Sequence, residues 1–107
     1  MDAGRAPEKT LDGHFVVVRG RRRRATDPSV PEETAARLRR HLMAARRAVR
    51  AATAAGDARA ERSARARVHR AKVASGTRGT PWWEQSGSDR RQRWEQGSAR
   101  LDADAPR

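Results

Sequence analysis

Apolar side chains recur along this chain at two different periods, and each period predicts a different element. "HFVVV" (14–18) is a short aromatic and β-branched run with strand propensity. "RG" (19–20) follows as a turn whose glycine can take a positive φ, and "RRRRAT" (21–26) returns as a partner strand. A β-hairpin over about 14–26 is therefore expected. Successive arginines on it alternate between its faces, so at least one pair must lie over whatever covers the sheet.

From residue 29 the period lengthens. Ser29 followed by Glu32 fits a capping box, Pro31 sits in a first turn, where its missing N–H costs nothing, and Glu32 and Glu33 favour the positive end of a helix. Ala35, Leu38, Leu42, Ala45, Val49 and Ala52 then follow at intervals of 3, 4, 3, 4 and 3, which is a heptad seam. Gly56 supplies a stop and Asp57 a cap for a second helix, with Ala64, Val68, Ala71 and Ser75 as its seam. So short a connection forces antiparallel neighbours: a helical hairpin of about 30–54 and 57–74, roughly 30 Å long at ~1.5 Å per residue.

Beyond Gly76, Gly79 and Pro81 interrupt the helix and present Trp82 and Trp83 together. Ser88 or Asp89 can cap a short helix over about 88–100, carrying Trp94 and, a heptad further on, Leu101. The expected fold is mainly α: an antiparallel helical hairpin with a short N-terminal β-hairpin and a C-terminal tryptophan-containing segment. The pattern divides the chain into a flexible arm (1–13), a single small domain (14–85) and a C-terminal extension (86–107), a short helix and then a frayed tail.

Composition narrows what such a fold can do. In 107 residues with 36% charged side chains and a mean hydropathy of −1.04, most apolar positions are alanine, so little area is buried and stability is modest or lent by a partner. The net charge is +12, and because residues 1–18 and 73–107 are each close to neutral, it lies between residues 19 and 72. A basic domain with near-neutral tails is drawn to polyanions. Lys9 and Lys72 are the only lysines among 25 basic residues. Arginine forks onto phosphate better than lysine does, although a GC-rich coding genome produces the same bias. There is no cysteine, hence no disulfide and no thiolate chemistry. "MDAGRAPEKT" is polar and "FVVV" too short for an export signal, so a cytoplasmic location is expected.

Taken together, "GRRRRATDPSVPEE", "LMAARRAVRAA", "ARARVHRAKVASG" and "RGTPWWEQ" resemble a family of small actinobacterial proteins, some labelled as biopolymer transporters of the Tol type. The resemblance covers about residues 14–85, with "ATDPSVPEE" and "PWWE" its most specific parts. In that family an aromatic often stands in place of Arg23 and a leucine in place of Ser75, so this chain has a reduced core by comparison. The family has no established activity and transfers no functional residue, and the chain has no propeller repeat to match the Tol label.

Candidate chemistry is electrostatic. Arg19, Arg21, Arg22, Arg23 and Arg24 can clamp successive phosphates from a β-ribbon, or form a solvated strand. Arg39, Arg40, Arg46 and Arg47 fall off the helical seam, as do Arg50, Arg59, Arg62, Arg65 and Arg70, and can extend that footprint or merely keep the helices soluble. Trp82 and Trp83 can stack on bases, but the favoured reading is a clasp that closes the core, with one ring covering an arginine. His14, His41 and His69 lack metal-site spacing, no cofactor motif is present, and neither a nucleophile nor a carboxylate pair marks an enzyme. The sequence thus points to a non-catalytic accessory protein that binds nucleic acid or a ribonucleoprotein electrostatically, with neither a membrane nor a small-molecule substrate as partner. The alternative is a protein-interaction module or homo-oligomer, built on the Leu38, Leu42 and Val49 seam and the tryptophans.

Overall fold

A computed structural model describes residues 8–105. It is mainly helical, with a small sheet at one end. The sheet has three antiparallel strands in the order β1 (Glu8–Lys9), β2 (Phe15–Val18) and β3 (Arg21–Arg24). Phe15 pairs with Arg24 and Val18 with Arg21, so the hairpin expected from the sequence forms with a two-residue connection. Arg19 (φ 52°) and Gly20 (φ 75°) both take left-handed conformations, the signature of the turn that matches strand twist. Strand β1 falls within the stretch expected as an arm, where Glu8 and Lys9 pair with Val17 and Val16. Thr10 and Asp12 organise the intervening turn, where the Asp12 carboxylate accepts from the Thr10 hydroxyl and the His14 amide. Residues 1–7 of that arm, and 106–107 of the expected frayed tail, lie outside the described residues.

Helices α1 (Glu32–Ala55) and α2 (Ala58–Ser75) form the antiparallel hairpin. Gly56 closes α1 in a left-handed conformation, and the Asp57 carboxylate accepts from the Ala60 amide to start α2. The start of α1 differs from the capping box expected at Ser29 and Glu32. Pro31 is its N-cap with no side-chain bond, because the Ser29 hydroxyl and amide both donate to the Asp27 carboxylate, at 2.7 and 2.8 Å. Glu32 instead pairs with Arg39 at 3.0 Å.

A one-turn 3-10 helix (Trp82–Glu84) leads into α3 (Gly87–Asp104), capped by Ser86 rather than by Ser88 or Asp89. This helix is longer at both ends than the expected 88–100 and belongs to the core. Leu101 is buried with Val30, Ala35, Leu38, Ala71 and Ala74, and Leu42 and Trp94 pack against them. Gly97 lets α3 approach α2 closely: a Cβ there would stand 2.6 Å from that of Ala74. The alanine seams are what bring α1 and α2 together, with Ala45 and Ala64 each only 1% exposed. Small residues permit this approach but contribute little apolar area, so polar contacts carry more of the tertiary structure than in a larger core.

Asp27 supplies the most connected of those contacts. Its side chain is fully buried, and its carboxylate accepts from Arg90 Nε at 3.1 and 3.2 Å, from the Arg90 and Arg93 terminal nitrogens, and from Ser29. Its amide donates to the Ser75 carbonyl at the end of α2, so one residue ties the strand-to-helix linker to α2 and α3. Burial pushes the Asp27 carboxyl up, but bonds from Arg90, Ser29 and Arg93 outweigh it and hold it well below the usual carboxylate range.

Candidate polyanion interface

The arginines of β3 divide between two faces, as the alternation of a strand demands. Arg22 and Arg24 share a face with Phe15 and Val17. On that face the Arg22 guanidinium lies 4.3 Å from the Phe15 ring centre and that of Arg24 5.7 Å from Trp83, while Arg24 Nη1 donates to the Gly79 carbonyl at 2.8 Å. Of the pair that the sequence expects to be covered, only Arg24 is part-buried, whereas Arg22 lies exposed beside Phe15. Arg21 and Arg23 occupy the opposite face, and Arg19 is exposed in the turn.

The tryptophan pair closes this end of the molecule. Trp82 is buried and its indole N–H donates to the Ala25 carbonyl at 2.9 Å. Trp83 is half-buried and stacks on His14 with ring centres 4.0 Å apart and 3° between planes, while Trp82 meets both rings edge-on. Arg90 lies over the Trp82 ring at 5.1 Å. Trp82 is buried, and one face of Trp83 is covered by His14.

Arg23 lies where the sheet meets the helices, in a cleft of about 390 Å³ with Val16 and Arg24 from the sheet, Leu42 and Arg46 from α1, Lys72 from α2, and Thr77 and Arg78 just beyond it. An adjoining cleft of about 490 Å³ shares Arg46, Lys72 and Arg78 and runs along the helical hairpin past Val49, Arg50, Arg65 and Val68. Neither lining contains an acid. Lys72 stands among these charges: burial first, then repulsion from Arg78, Arg46 and Arg23, lowers its pKa.

Arg39, Arg40 and Arg47 do not join this cleft. They lie with Ala36 and Met43 along a shallow outer face of α1. On the α3 side the charge is matched: Asp102 pairs with His41 at 2.6 Å and with Arg37 at 3.5 Å, and Asp104 pairs with Arg70 at 3.5 Å. The molecule is therefore electrostatically two-sided, with acids of α3 set against basic residues of α1 and α2, and a cationic cleft opposite, in which, among the described residues, Arg65 alone meets a carboxylate, that of Glu61 at 3.0 Å. Sequence reasoning found Arg23, Arg24 and Arg46 but passed over Lys72 and Arg78. Lys72 stands four residues after Val68, so the single lysine of an otherwise arginine-rich hairpin flanks the seam, and that placement was its only signal.

The fold and this surface together define a small helical domain carrying a cationic cleft. No family model, curated protein or solved structure matches the chain. Among the described residues, no helix is long and apolar enough to cross a membrane.

Proposed function

We propose that the protein is a cytoplasmic, non-catalytic accessory protein that binds nucleic acid, alone or within a ribonucleoprotein, through its phosphate backbone. One observation carries this reading: Arg23, Arg46, Lys72 and Arg78 converge in a cleft whose lining holds no acid, beside the exposed Arg19 and Arg21 of the hairpin. Such a surface neutralises successive phosphates and releases their counterions. Sequence-selective reading has no support, because no helix presents amide side chains for base edges beside this cleft. The tryptophans serve this function by fixing the hairpin in place rather than by stacking. Self-association is the weaker alternative, since Leu38 and Leu42 of the seam pack within the chain, Leu38 being 2% exposed.

The test is a fluorescence-anisotropy titration with labelled single- and double-stranded DNA and RNA across salt concentrations, set against an acidic non-nucleic polymer. Binding that persists near physiological salt and prefers nucleic acid is expected. Substituting Arg21, Arg22, Arg23 and Arg24 with glutamine should flatten the salt dependence by roughly 0.7–0.9 log units per lost phosphate contact. Binding confined to low salt, without preference between polyanions, would refute the proposal.

A further inference from the structure

We propose that the cleft between the sheet and the helical hairpin is a discrete binding site for a group of two or more linked phosphates. This deepens the polyanion reading and rests on it for the sign of the ligand's charge, but it asks more: a site built by folding, selective among anions.

The site draws on separate parts of the chain. The sheet provides Val16, Arg23 and Arg24, α1 provides Leu42 and Arg46, α2 provides Lys72, and the following connection provides Thr77 and Arg78. No two neighbouring elements could make it alone. Two of its components are held in place independently of any ligand. Arg24 is fixed by the Gly79 carbonyl and Trp83, and the Thr77 hydroxyl donates to the Lys72 carbonyl at 3.2 Å.

The charge pattern is what calls for a ligand. Three part-buried arginines elsewhere meet a carboxylate: Arg90 and Arg93 meet Asp27, and Arg70 meets Asp104. Around Lys72 the chain supplies none among the described residues, and the half-buried ammonium is left facing Arg23, Arg46 and Arg78. Confined like charges destabilise the fold that confines them, and an anion placed between them reverses the sign of that contribution. A phosphate monoester carries only about −1.5 to −2 charges near neutral pH, less than half of what the five cations Arg23, Arg24, Arg46, Lys72 and Arg78 present. Linked phosphates meet that demand within a cleft of about 390 Å³, and the adjoining space past Arg50 and Arg65 gives a chain room to continue. The carboxylates of an acidic peptide bring one charge each at wider spacing, so linked phosphates are the better match. Val16, Leu42, Val49 and Val68 offer an apolar wall but no aromatic surface, so recognition is of the phosphates and not of a base.

Linked phosphates occur free, as in pyrophosphate, tripolyphosphate and nucleoside triphosphates, and at the 5′ end of RNA. The experiment measures thermal unfolding and calorimetric binding at constant ionic strength. Its probes are inorganic pyrophosphate, tripolyphosphate, orthophosphate, sulfate, a short acidic peptide, and one RNA oligonucleotide with either a 5′-triphosphate or a 5′-hydroxyl. A saturable rise in Tm is expected with the linked phosphates, roughly 11–22 °C at about 100-fold above Kd, and not with orthophosphate or sulfate. A rise with the free compounds assigns a free ligand, and a rise only with the 5′-triphosphate RNA assigns a chain end.

Lys72→Met should raise Tm without ligand, because repulsion is relieved, and should weaken pyrophosphate binding roughly tenfold or more. Arg78→Gln repeats the binding test at an exposed position outside the helices, where folding is not at stake. Arg40→Gln with Arg47→Gln, on the outer face of α1, should leave pyrophosphate binding unchanged. Equal shifts from pyrophosphate and sulfate, preference for the acidic peptide, or unchanged pyrophosphate binding in Arg78→Gln would overturn the site. Nucleic-acid binding that is equal for the 5′-triphosphate and 5′-hydroxyl RNA, while pyrophosphate binding is absent, rejects this site alone. Saturable pyrophosphate binding without nucleic-acid binding rejects the broader function alone.

Discussion

Replacing Asp27 with asparagine removes a negative charge from between two guanidinium groups while keeping the shape of the side chain. The amide oxygen of the substituted side chain could still accept from Ser29, so the perturbation falls on Arg90 and Arg93. Breaking a buried ion pair from one side costs ~3–5 kcal/mol, because the other charge is left uncompensated. Here the arginine side chains keep some water, at 20% exposure for Arg90 and 10% for Arg93, which places the loss near the lower end. A cost of ~3 kcal/mol, at about 4–8 °C per kcal/mol for a domain of this size, lowers Tm by roughly 12–24 °C. Thermal melts followed by far-UV circular dichroism measure it.

The same residue sets a pH dependence. Its folded pKa lies below the unfolded value of about 3.9, so its stabilisation is complete above that value and is lost as pH falls towards the folded one. The native protein should lose Tm progressively below about pH 5, and the asparagine variant should lack that part of the acid response. A variant within about 3 °C of the native protein at neutral pH, with the same acid limb, would show that Asp27 does not lock the fold.

Two further substitutions test the packing and the turn. Gly97→Ala gains up to ~1 kcal/mol of helix propensity but drives a methyl group against Ala74, at a cost of ~1–3 kcal/mol. A net loss in chemical denaturation is expected, partly recovered by adding Ala74→Gly, and a gain in stability would mean that α2 and α3 pack less closely than described. Arg19→Asn places in the turn a residue that tolerates left-handed backbone, and should stabilise the hairpin by roughly 0.5 kcal/mol. Stronger amide-exchange protection in β2 and β3 would register it, and weaker protection would argue against the turn geometry.

Local chemistry announced most of the elements, and long-range contacts account for what it missed. The spacing from Ala35 to Ala52, and Gly56 with Asp57, gave α1, α2 and their antiparallel arrangement, because periodicity and caps act within a few residues. Ser29 looked like a cap for the same reason. It was redirected by Asp27, whose own partners Arg90 and Arg93 lie 63 and 66 residues away, beyond any local pattern. Strand β1 escaped notice because Glu8 and Lys9 have no strand propensity of their own and pair only because β2 offers an edge. In α3, Gly97 reads as a helix breaker until Ala74 is placed opposite it. Of the candidate site, the arginine block was plain in the sequence, whereas its division between an aromatic-covered face and the cleft depends on strand register, and the contribution of Lys72 and Arg78 on how the sheet sits against the hairpin.

The span between Asp27 and its arginines also bears on how the chain reaches its native state. A ribosome delivers the N-terminal part first, at about 5–20 residues per second, so Asp27 is made seconds before Arg90 and Arg93 exist. During that interval the Asp27 carboxylate has only Ser29 and water, and the surface that Leu101 will cover is open. Helix α3, made after the hairpin, completes the linker that precedes it. Folding of this domain thus waits for α3, and a chain cut short before that helix would stall with a charge in its centre and no arginine to neutralise it.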